Sequence, residues 1–182
     1  MIRAALRVIA SASLLAALQV QAQATRVGPP RPSPQLTIGD TLTVTASPSV
    51  VNFALVSKGV ALGSSPIVVT TTWTGISLLS SLNLYAYFSS STAALSGSVP
   101  LVNIPTADVL GKDTTGIPIA FTQFTQGTPI AGASLHLYSL TSILSLGGSH
   151  VDNLSLEINL TTLPQLPAAT YTGVLLIQAQ AL

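Results

Sequence analysis

Two histidines and five carboxylates are the side chains of this chain whose ordinary pKa values suit acid–base chemistry at or below neutral pH. A nucleophilic triad needs a base held against a hydroxyl, and only His136 and His150 can serve as that base. His136 falls on the polar phase of an alternating run and reads as a solvated surface residue. His150 follows Gly147-Gly148-Ser149 and reads as a loop residue. No Gly-x-Ser-x-Gly elbow accompanies either of them. Asp108 and Asp113 share a loop, whereas Asp152 and Glu157 straddle the start of a strand. Spread in this way, the acids read as turn residues and solubilising charges rather than as the paired carboxyls of glycoside hydrolysis. No calcium loop is spelled out around Asp108 and Asp113. No His/Cys cluster offers a zinc site, and no glycine-rich phosphate loop opens a helix. The expectation is a protein without catalytic, cofactor-binding or metal residues: not an enzyme, and with no cofactor.

Binding chemistry has one candidate. Tyr85 and Tyr87 share one face of a strand, and Trp73 lies in the strand before it. Aromatic rings displayed on a sheet face can stack on sugars, but they also make ordinary cross-strand pairs. Trp73 is in phase with Ile67 and Val69, which assigns it to the core. Asn153-Leu-Ser and Asn159-Leu-Thr match the glycosylation triplet, yet both asparagines fall inside a strand and read as its polar phase.

The elements that would carry these residues follow from charge, proline and period. Arg3 and Arg7 precede an apolar stretch from Val8 to Leu18, and Ala22-Gln23-Ala24 supplies the small residues of a cleavage site. That is the three-part pattern of a secretory signal, here residues 1–24, and its apolar stretch is too short to span a bilayer. Export then places the chain in the periplasm, at the cell surface or outside the cell. Residues 25–35 carry Pro29, Pro30, Pro32 and Pro34 and read as an extended linker. Residues 36–182 read as one domain with period-two alternation throughout. Leu42, Val44 and Ala46 alternate with threonines, and Ile67, Val69, Thr71 and Trp73 share a face. So do Leu82, Leu84, Ala86 and Phe88, and so do Leu154, Leu156, Ile158 and Leu160. Val174 to Ile177 is apolar at every position, as in a strand covered on both faces. About eight or nine short strands separated by Gly, Pro and Ser turns make an all-β, antiparallel, immunoglobulin-like sandwich. The stretch from Ser89 to Gly116 reads as looser, with a short strand near Val99 to Ile104, and Ile117 to Phe124 reads as an edge strand because of Pro118.

Charge is scarce, at 6% of residues with a net of +1, and cysteine is absent. No basic patch exists to hold phosphates, which excludes nucleic acid as a partner. The mature chain has no transmembrane helix. Without disulfides, apolar burial and sheet hydrogen bonds must hold the domain. A surface of hydroxyls and amides suits close packing against identical neighbours.

The C-terminal stretch Leu166-Pro-Ala-Ala-Thr-Tyr-Thr-Gly-Val-Leu-Leu-Ile-Gln-Ala resembles the last strand of spore coat protein U-like and other chaperone–usher fimbrial subunits. The alternating run from Leu42 to Asn52-Phe53 is similar to their opening strands. The chain departs from them in lacking cysteine near its start and in having Ala169 where glycine is expected. The resemblance implies a pilin-like, incomplete sandwich that accepts a strand from a neighbour, by main-chain pairing with side-chain pockets for selectivity. Leu36, Ile38, Leu42, Val44 and Ala46, behind the proline linker, are then the candidate donor strand. The resulting expectation is an exported structural or adhesive surface subunit whose partners are itself or other surface subunits. A secreted binding module, for carbohydrate through Tyr85 and Tyr87, is the alternative. A small outer-membrane barrel is disfavoured by the scarcity of aromatic girdle residues.

Overall fold

A computed structural model describes residues 2–14, 41–75, 81–98, 101–141 and 147–181. The linker at 25–35 and the donor positions Leu36 and Ile38 lie outside the described residues. Among those described are thirteen strands and one 3-10 turn, Thr106–Asp108, with no α-helix. Nine of the strands are five residues or longer, close to the number the alternation requires.

The strands form two sheets. The first runs β11(Ser134–Leu140), β6(Leu82–Tyr87), β13(Thr170–Ala181), β1(Ile2–Leu14), β3(Val50–Leu55), with the short β7(Leu95–Gly97) and β8(Asn103–Ile104) added beside β13. The second runs β10(Thr122–Gln123), β9(Val109–Asp113), β12(Gly147–Asn159), β5(Ile67–Thr74), β2(Thr41–Ser47), with β4(Val60–Leu62) added to β12. Pairing is antiparallel everywhere except between β1 and β13. This is an all-β sandwich.

Alternation builds the core as strand geometry dictates. Ile67, Val69, Thr71 and Trp73 from one sheet face Leu82, Leu84, Ala86 and Phe88 from the other, and all are buried. Phe88 and Phe124 meet edge to face with ring centres 5.1 Å apart. β13 holds the middle of its sheet, which explains its apolar run: Leu175, Ile177, Ala179 and Ala181 face the core while the opposite phase is only half covered. At its base the buried Tyr171 hydroxyl donates to the Pro167 carbonyl at 3.1 Å.

Four stretches depart from the sequence reading. Val109–Asp113 is not loop but β9, paired on both edges, by β10 and β12. Its Gly111-Lys112-Asp113 has turn-like composition, but a Cβ at Gly111 would press on Phe124 and Leu154, so glycine here serves close packing. Of the run Ile117–Phe124, only Thr122–Gln123 pairs as a strand. Within the described part of the Val99–Ile104 run, only Asn103–Ile104 is strand, and β7 precedes it. Gly147-Gly148-Ser149 is not a turn but the start of β12, where Gly148 makes room for the Trp73 ring.

Candidate functional site

Two places in the sandwich do more than fill space. The first is the strand slot between β13 and β3. Its occupant is β1, drawn from the segment whose composition reads as a leader. β1 pairs in parallel with β13 along its length, from Arg3 opposite Thr170 to Leu14 opposite Ala181. On its other edge it pairs antiparallel with β3, from Ile2 opposite Leu55 to Arg7 opposite Val50. Leu6 enters the core and is fully buried, Val8 packs against it, and Arg7 projects to solvent. Full burial of a leucine is worth ~1.5–3 kcal/mol. Leu6 also faces Gly173 across the parallel ladder, where a Cβ would run into the Ala94 carbonyl. The floor of the slot is therefore narrow by construction. On the outer face, Ala5, Arg7, Val50, Thr172, Gly173 and Val174 line a cavity of about 510 Å³ that follows the same seam.

The second place is a buried pair of carboxyls, Asp113 at the end of β9 and Asp152 in β12, both without solvent exposure. The sequence groups Asp113 with Asp108 and Asp152 with Glu157. The fold instead sets β9 beside β12, with Asp113 opposite Leu154, and turns both aspartates into the core. Asp113 Oδ1 accepts four hydrogen bonds: from the Thr115 amide at 2.9 Å, the Thr115 hydroxyl at 3.1 Å, and the Gly116 and Asn153 amides at 3.2 Å each. Asp152 Oδ1 lies 2.9 Å from His150 Nε2. Burial, the adjacent Asp113 charge and a hydrogen bond to Asp113 raise the Asp152 carboxyl to about 8. Asp152 is thus the protonated partner at neutral pH. The same burial lowers His150, partly offset by the Asp113 charge.

His150 is therefore not a loop residue. It points inward from β12, with 23% of its side chain exposed, and its ring stacks on Tyr138 with centres 3.6 Å apart. A bulge in β11 makes this contact. Register shifts between His136 and Tyr138, so His136 pairs with Tyr85 and Tyr138 with the inward-facing Leu84. The alternation that would place His136 and Tyr138 on one face is broken there. Asp108 lies elsewhere, at the end of the 3-10 turn, raised by burial and bonded at 3.3 Å by Thr162.

Tyr85 and Tyr87 occupy the outer face of the first sheet, half buried. Tyr85 stacks on His136 with centres 4.9 Å apart. His136 is consequently not a freely solvated residue: its Nε2 is buried without a partner, and burial lowers its pKa. Trp73 is core, as read, but β5 and β6 belong to opposite sheets, so it does not stand beside the tyrosines. Leu42, Val44 and Ala46 face the core from β2, paired with Trp73, Thr71 and Val69 of the chain's own β5.

Among the described residues no His, Cys, Asp and Glu grouping could hold a metal ion, and no helix is long and apolar enough to cross a membrane. No protein-family model and no curated protein matches this sequence.

Proposed function

We propose that this chain is an exported structural or adhesive surface subunit of pilin-like, immunoglobulin-like type that assembles by strand exchange. The observation that carries the reading is the origin of β1. A segment with the composition of a cleavable leader fills an interior position of the first sheet. Loss of that segment on export would leave the inner edges of β13 and β3 unpaired and empty the Leu6 position. Unpaired strand edges over an open core take up another strand, which is how strand addition recognises its partner. The buried Tyr171, bonded to a carbonyl four residues upstream, matches the tyrosine corner of immunoglobulin-like sandwiches and supports that finer assignment.

Donation of Leu42, Val44 and Ala46 to a neighbour would require β2 to leave β5, so a donated strand is better supplied from outside those residues. Tyr85 already spends a ring face on His136, which favours cross-strand packing over sugar stacking. An apolar interior between two sheets argues against a small membrane barrel, whose interior is polar.

The test compares the full chain with residues 25–182, both purified without detergent and sized by light scattering. The expected result is a monomeric full chain and a shortened chain that forms a ladder of oligomers resistant to mild denaturant. A shortened chain that stays monomeric with an unchanged β-type circular dichroism spectrum would sink the proposal. So would recovery in detergent alone.

A further inference from the structure

We infer that Asp113 and Asp152 form a one-proton latch that clamps the 114–118 corner between the two sheets and lets it go when the proton is lost. The corner is tied at both ends. The Asp113 amide donates to the Pro118 carbonyl at 2.7 Å, and the Thr114 amide donates to the Asn153 carbonyl at 3.3 Å. The Ile117 amide donates to the Leu137 carbonyl at 2.8 Å, reaching β11 in the opposite sheet. The bulge in β11 is what frees that carbonyl from the ladder. Gly116 lies so close beneath it that a Cβ would collide with the Leu137 oxygen and sit 2.7 Å from Asp152 Oδ1. The carboxyl pair thus forms the floor on which the inter-sheet clamp rests.

Among the groups that face the pair, only His150 could offset a second negative charge, and burial disfavours its charged form. From β12 comes His150, on Asp152; from β11 comes Tyr138, over His150; from the corner comes the Thr115 hydroxyl. From β5 the inward residues nearest in register are Val69 and Thr71, neither ionisable. Lys112 lies in the outward phase of β9, with Nζ 6.0 Å from the Phe121 ring centre. Asp113 Oδ2 and Asp152 Oδ2 are buried and have no hydrogen-bond partner. With one proton shared between the two carboxyls, the cluster holds a single negative charge beside the four donors on Asp113 Oδ1. With none, two carboxylates repel inside the core. Asp152 is fixed in the middle of β12, so the corner is the part that yields.

The sign follows from the raised carboxyl. A group whose pKa is higher in the folded chain contributes stability that is complete below its unfolded value, near 4, and is lost as pH rises toward about 8. His150 acts oppositely, because its lowered pKa costs stability as pH falls below about 6.5. Asp152→Asn separates them: the amide donates to Asp113 at every pH and still accepts from His150.

The experiment is urea unfolding of the full chain and of D152N from pH 5 to 8. Across this range the folding constant of the parent relative to D152N is expected to fall by up to about tenfold per pH unit. A pH-independent ratio would overturn the latch. Carbon-13 NMR of the parent provides a readout that does not depend on the variant folding. The Asp152 carboxyl carbon and the Thr115 and Gly116 amides should shift together, with a midpoint near 8. A carboxyl midpoint below 5, or a titration that leaves the corner amides unmoved, would also overturn it.

Discussion

Gly116 shows how much of this molecule is decided by single atoms. It has no room for a methyl group, since the Leu137 carbonyl and both aspartates already occupy that space. Gly116→Ala should destabilise the full chain by ~2–4 kcal/mol, read as a lower urea midpoint with an unchanged slope. Asp113→Ala should cost more, ~3–5 kcal/mol, because it strands three of the four donors, the Asn153 amide keeping the Thr115 hydroxyl, and removes the acceptor of the Asp152 proton. If either variant matched the parent, the corner would not be the rigid point its bonds describe. The residue types in this cluster were visible in the sequence, but their grouping was not. Asp113 and Asp152 are distant in the chain, and only the pairing of β9 with β12 makes them neighbours. Gly111-Lys112-Asp113 concealed that pairing by carrying turn composition inside a strand. His150 was concealed in the same way by two glycines that belong to β12.

At the scale of elements, alternation was a reliable guide wherever one face met the core and the other met solvent. β2, β3, β5, β6 and the second half of β12 follow it residue by residue. It failed where a strand is short, as in β7 and β8, or bulged, as in β11, because packing decided the backbone there and period did not. It was also silent about β1, whose small and apolar residues carry no two-residue period; the slot imposes one by burying Leu6 and exposing Arg7. β13 is the element on which the first sheet depends, with β6 on one edge and β1 on the other. At Gly173 it runs so close under the Ala94 carbonyl that a Cβ would not fit. Gly173→Val should push β7 from β13 and misplace Leu95, which is fully buried. The expected loss is ~2–4 kcal/mol by urea unfolding. Amide exchange should rise first at Thr172 and Ser96, which face each other across that pairing.

For the whole molecule, the two sheets differ in how complete they are without their N-terminal strand. The second sheet is assembled from β2, β4, β5, β9, β10 and β12 and loses no strand pairing if residues 2–14 leave. The first is divided by their departure, with β3 on one side and β13, β6 and β11 on the other. A strand that fills such a gap is held by main-chain hydrogen bonds, which any extended peptide can make, and by its inward side chains, which only some peptides can match. If the slot is a receptor in the sense proposed above, a synthetic peptide of residues 2–14 should bind residues 25–182 and suppress their oligomerisation. Specificity should rest on Leu6, which among the described side chains of β1 is the one that the slot buries completely. An L6D peptide would have to place a carboxyl in an apolar position at a cost of at least ~3 kcal/mol, or roughly 100-fold in affinity. R7D changes a side chain that faces solvent and should alter binding by less than about threefold in moderate salt. Fluorescence anisotropy of the labelled peptides measures both. Equal binding by the parent and L6D peptides would mean that backbone pairing alone holds the strand. The slot would then have no means of choosing its occupant, and a subunit that assembles in a defined order could not be built on it.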